Sequence, residues 1–208
     1  MNNHGNLGLL TVILLITFVL IGAVSASVIM NKTTSVSNTD LNRLTNEIVD
    51  EITSYLQIKT IVGQYQTIQG NQRIQKIAVM IKPLISQTID LTHMIIEVST
   101  KEQFFVLYFN GNVSPLGSYT VFDHPLWGTL TQDTYSVIPI LDDDSSMVTY
   151  HSINKNTDSA FLLVQLPDAC TMQKGDVVQI TLQPSPGAER TVVLEAPLPI
   201  SHVVTLYE

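Results

Sequence analysis

Five histidines, one cysteine and a run of three aspartates are the residues of this chain best suited to catalysis or metal binding. His4, His93, His124, His151 and His202 are spread along the chain without the spacing that brings imidazoles to one metal. Asp123 and His124 are adjacent, which is half of a Ser-His-Asp arrangement, but no G-x-S-x-G elbow marks a nucleophile to complete it. Asp142-Asp143-Asp144, followed by Ser145 and Ser146, offers the oxygen donors that calcium takes. It lacks the alternate acidic positions, the glycine and the closing glutamate of a calcium loop, so it reads as a solvated turn. Cys170 stands alone, which excludes an intrachain disulfide and a cysteine-based metal site and leaves a small core residue between strands. The phosphate loop, the dinucleotide glycine pattern and H-E-x-x-H do not occur. Catalytic, cofactor-binding and metal-binding residues are therefore assigned to none of these positions.

Two N-x-[ST] acceptors remain, Asn31-Lys32-Thr33 and Asn112-Val113-Ser114, and make Asn31 and Asn112 the candidate N-glycosylation sites. The formal charge is −8 with a pI near 4.9, and the ten Lys and Arg are scattered. Nucleic acid is excluded as a partner, because phosphate contacts require a basic stripe.

The elements that must carry these residues fall into two parts. Residues 7–30 contain no charged side chain and are dominated by Leu, Ile and Val. As a helix they would extend roughly 36 Å, enough to cross the hydrocarbon core of a bilayer. A helix apolar on all sides must be buried, in lipid or among copies of itself. Leu7, Leu10, Leu14, Phe18, Gly22, Ala26 and Ile29 are the candidate assembly residues of this helix. Gly22 with Ala26, and Ala23 with Ser27, lie four apart and would let a second helix approach closely. Leu41, Leu44, Ile48, Ile52 and Tyr55 continue a helical spacing, so the sequence predicts one helix over 6–57, amphipathic from 31, with a weak point at 33–40.

From about residue 58 the period changes to two. Strands are expected at 77–82, 94–100, 104–109, 119–122, 135–138, 147–151, 160–166, 178–182, 190–195 and 202–207. Asn110-Gly111-Asn112, residues 142–145, residues 154–158 and residues 184–187 read as the turns between them. The expected fold class is α+β, a long apolar N-terminal helix followed by an all-β, immunoglobulin-like antiparallel sandwich at 58–208. The Cys, Trp, Cys signature of antibody domains is absent, so the sandwich rests on strand pattern alone.

The tail Lys174-Gly175-Asp176-Val177-Val178-Gln179-Ile180-Thr181-Leu182, then Gly187-Ala188, Pro197 and Val203-Val204-Thr205-Leu206-Tyr207, resembles the carboxyl end of the archaeal flagellins, the archaellins. Residues 77–82 with Thr88-Ile89-Asp90-Leu91 and Met94-Ile95-Ile96 resemble that family's first sheet segments, and the N-terminal run is similar too. The resemblance implies a structural subunit of the archaellum, the archaeal motility filament. It implies apolar helices bundled in the filament core, sandwich heads outside, copies of itself and other archaellins as partners, and a membrane-inserted precursor. It also implies a short leader at 1–5 cut after Gly5, making Asn6 the first mature residue. Met1-Asn2-Asn3-His4-Gly5 departs from the family pattern in having no Lys or Arg. An anchored archaellum accessory protein, a secreted binding module cleaved before Ala26, and a surface hydrolase using Asp123 and His124 are the rival readings.

Overall fold

The computed structural model describes residues 56–68, 70–185 and 187–208, which form one β-rich head. Up to residue 55 the expected helix lies outside the described residues, and its last two positions need correction. Leu56 and Gln57 open a strand, β1 (Leu56–Ile68), because they pair in register with Pro83 and Lys82 of β2 (Asn71–Pro83). The remaining elements are β3 (Ile89–Asp90), β4 (Ile95–Ser99), β5 (Phe104–Val113), β6 (Thr134–Leu141), α1 (Ser146–Tyr150), β7 (Ser152–Ile153), β8 (Ser159–Gln165), β9 (Val177–Gln183), β10 (Arg190–Glu195) and β11 (Val203–Tyr207).

Among the described residues nine strands form one sheet in the order β10-β9-β4-β5-β6-β8-β2-β1-β11, and β3 pairs separately with β7. Neighbours run antiparallel except β5 and β6, which are parallel, a departure from the expected all-antiparallel arrangement. A parallel pair needs a long crossover. Residues 114–133 supply it.

The sheet curls until its ends approach one another, β10 lying near β1 and β11. Tyr65 of β1 ties the seam, its N–H donating to His202 O at 2.8 Å and its hydroxyl to Pro197 O at 2.5 Å. The result is sandwich-like, with two sheet halves enclosing one core. Ile61, Ile77, Val79, Ile96, Leu107, Val137, Leu162, Ile180 and Leu194 fill it, each at or near zero exposure. At about 1.5–3 kcal/mol for each buried aliphatic side chain, this interior is the main stabilising term of the head. Cys170 is part of it, as expected.

Three expected local structures are corrected. Residues 147–151 are β-branched and aromatic enough to suggest a strand, yet 147–150 fall in α1 and His151 caps it, because the Asp142 carboxylate accepts the N–H groups of Ser146 at 2.9 Å and Met147 at 3.1 Å and so nucleates a helical turn. Residues 119–122 are turns, held by Thr120, whose hydroxyl donates to Asp123 at 2.6 Å. Asn110-Gly111-Asn112 lies inside β5 as a bulge. Gly111 adopts φ +80°, open to glycine, and the ladder to β6 slips between Phe109 and Val113.

Candidate functional site

The outward faces of the two sheet halves differ. On β6, β8 and β2 the outward residues Ile138, Leu163 and Ala78 are buried, because the crossover 114–133 folds over them. Phe122, Leu126 and Trp127 form a second core there, with the Phe122 and Trp127 rings stacked at 5.9 Å and 15°. Trp127 Nε1–H donates to Val121 O at 2.8 Å, which satisfies the polar end of the ring. Lys76 Nζ sits 5.0 Å from the centre of the same ring. Burial pushes the Lys76 ammonium below its usual pKa, and the Asp123 carboxylate opposes that shift.

His124 is the latch of this crossover rather than a base. Its Nδ1 accepts the Leu126 N–H at 3.3 Å, capping the short 3₁₀ turn Pro125–Thr129, and its Nε2 lies 3.2 Å from Pro115 O. Both nitrogens are thus engaged with backbone. Asp123 faces Thr120, so the adjacent pair does not form a relay.

On β5, β4, β9 and β10 no element of the described residues covers the outward face. Cross-strand register sets the rows: Phe104–Ser99–Gln179–Val193, then Val106–Glu97–Thr181–Thr191, then Tyr108–Ile95–Gln183. Phe104 is 60% exposed, Tyr108 58% and Val193 61%. Glu97 and Glu195 are the charged residues of this face, and Glu97 accepts a hydrogen bond from Gln183 Nε2 at 2.8 Å.

The other expected residues are placed as follows. Asp142 is consumed by α1, and Asp144 pairs with Lys155 Nζ at 3.1 Å and accepts from Asn154 Nδ2 at 2.9 Å. These hydrogen bonds, Asn154 foremost, hold the Asp144 carboxyl well below the usual range. His93 meets Asp90 at 3.1 Å, His151 closes α1 with its ring T-shaped to Phe109, and His202 is exposed. No group of three His, Cys, Asp or Glu among the described residues is set to hold a metal ion. An open groove of about 350 Å³ lies between Gln103, Cys170 and Asp176. The thiol beside it is buried, and burial pushes its pKa up. Asn112 is exposed near the end of β5. Gly5, Asn6, Asn31 and the assembly residues Leu7, Leu10, Leu14, Phe18, Gly22, Ala26 and Ile29 lie outside the described residues.

The crossover and the uncovered face were not foreseen from sequence. His124-Pro125 preceding the single tryptophan was a signal for the first, since a cap followed by proline starts a turn. The second had none, because the apolar run of β5 does not say which of its faces points inward.

A β-rich head offering surfaces, joined in sequence to an uncharged apolar run, defines a protein built for assembly. The family model for archaeal-type flagellin matches residues 5–194, and the chain belongs to that family. Flagellin B3 of Methanocaldococcus jannaschii is 27% identical over 213 residues, covering 99% of this chain and 96% of that protein. Flagellin B3 of Methanococcus voltae is 25% identical, covering 86% and 84%. The crystal structure of archaeal flagellin FlaB1 from M. jannaschii has a TM-score of 0.65 at 26% identity, covering 73% of this chain and 96% of that one. The archaeal flagellum of Methanospirillum hungatei shares the fold, with a TM-score of 0.52 at 17% identity over 91% of this chain and 93% of that one. The protein is a structural subunit of the archaellum filament, outside the cell at the archaeal surface.

Proposed function

We propose that the subunits polymerise through residues 7–30, with Leu7, Leu10, Leu14, Phe18, Gly22, Ala26 and Ile29 packing against the same segment of neighbouring copies. The observation that carries this is the uncharged run of 7–30 placed ahead of a folded head in a family of filament subunits. Before assembly the segment is held in the membrane. In the filament it is buried among its copies, where the close approach allowed by Gly22 and Ala26 gives van der Waals contact. Contacts that repeat head to tail without closing generate an open helical fibre. Residues 31–55 connect core to shell, and immunoglobulin-like heads form the outside. The subunit performs no catalysis and binds neither cofactor nor nucleic acid, and other archaellins are its further partners.

The leader is cut after Gly5, which leaves Asn6 as the mature N-terminus. Mass spectrometry of the filament protein checks it, since a start at Ala26 or an intact Met1 would overturn the cleavage after Gly5. Asn112, exposed at the end of β5, is the accessible glycan acceptor of the head, and Asn31 is the second acceptor.

Lysine at Ile16 or Leu20 tests the core assignment, because an unpaired charge in a dry bundle carries a large desolvation penalty. Such variants should form no filaments while the head keeps its fold. Filaments of normal length would overturn the assignment.

A further inference from the structure

We propose that the uncovered outward face of β5, β4, β9 and β10 is the surface by which the head packs against the head of a second copy of this chain. The inference rests on the chain's polymerising, and adds where on the head the contact falls. Phe104, Val106 and Tyr108 form an apolar stripe along β5, continued by Ile95 on β4, and Val193 extends the face to β10. A half-exposed aromatic is unremarkable singly, whereas an uncovered sheet face bearing two of them beside further apolar residues marks an interaction surface. The matching outward face of β6, β8 and β2 shows what this fold does with such a surface inside one chain, which is to bury it.

The occupant is a second copy because the chain belongs to a family of filament subunits, and charge bears on where two copies can meet. The head, residues 56–208, carries eight Lys and Arg against fourteen Asp and Glu, a net of −6. Two copies therefore repel wherever their carboxylates meet, and association falls where charge is sparsest. The crossover brings Asp123 and Asp133, and the loops near α1 bring Asp142, Asp143 and Asp144. The open face brings Glu97, already hydrogen-bonded to Gln183, and Glu195 at its margin. It is a patch that a like-charged copy can approach.

The test uses the full-length chain in filaments assembled from purified protein alone, so that only a second copy can cover the face. Tyr108→Cys and Val193→Cys place a thiol on it, and the native Cys170 is buried and adds little background. Maleimide labelling of either variant should be at least about tenfold slower in intact filaments than in the same protein dispersed with the head folded. Equal rates in the two states would overturn the proposal. Phe104→Glu should lower the temperature at which filaments dissociate without altering unfolding of the dispersed subunit, and filaments as heat-resistant as the unmodified ones would also overturn it. Failure of the unmodified chain to polymerise would strike the filament reading itself, and this inference with it.

Discussion

One sheet carries two halves with opposite fates on their outward sides. The strands β6, β8 and β2 are buried on both faces, because the crossover 114–133 lays Phe122, Leu126 and Trp127 over Ala78, Ile138 and Leu163. The strands β5, β4, β9 and β10 are buried on one face and leave Phe104, Tyr108 and Val193 in solvent. The covered half is finished by the chain itself. The open half is finished by another molecule. Substitutions in the first should therefore change folding, and substitutions in the second should change assembly while leaving folding nearly untouched.

The largest effect is expected from Trp127→Ala, which removes a ring stacked on Phe122 and beneath Lys76 and should cost about 3–5 kcal/mol of folding stability in denaturant unfolding of the dispersed protein. A loss below about 1 kcal/mol would mean that the crossover is an ornament on the sheet. His124→Ala should cost less, about 1–3 kcal/mol, since it leaves the Leu126 N–H and Pro115 O without their partner. Its signature is faster amide exchange confined to 114–133.

On the open half, Phe104→Ser and Tyr108→Ser should shift folding by no more than about 0.5 kcal/mol, the range of surface sites away from special features. A loss like that of Trp127→Ala would erase the distinction between the halves. The smallest effect concerns Asp144, on neither face. Its carboxyl is depressed in the folded state, so it stabilises the head above the unfolded carboxylate value of about 3.9 and that contribution is lost as pH falls through the lower folded value. Asp144→Asn should make the pH dependence of thermal unfolding shallower below about pH 4, and an unchanged slope would show that the pairing with Lys155 and Asn154 contributes nothing.

Much of the strand inventory was readable because alternation survives burial of one face. Residues 190–195 match β10, and 178–182 and 160–166 fall within a residue or two of β9 and β8. Residues 119–122 and 147–151 failed for a common reason. Their side chains favour extended backbone, but Thr120 with Asp123, and Asp142 with the Ser146 and Met147 amides, make short-range hydrogen bonds that outweigh a weak strand preference. The first strand was missed in two ways: the helical spacing of 41–55 was carried into Leu56 and Gln57, and residues 58–68 were given no strand although the period changes at 58. The candidate assembly face was illegible for a deeper reason. Phe104-Phe105-Val106-Leu107-Tyr108-Phe109 is apolar at every position, so period two gives no inward side, and only the pairing of Val98 with Phe105 and of Ile96 with Leu107 assigns it.

Hydroxyl-radical footprinting of intact filaments against dispersed subunits tests the contrast between the halves most directly, because it reads Phe104, Tyr108 and Trp127 in one experiment. Oxidation of Phe104 and Tyr108 should fall several-fold on assembly, while Trp127, closed within its own chain, stays unreactive in both states. Equal oxidation of Phe104 and Tyr108 in filament and subunit would contradict the account.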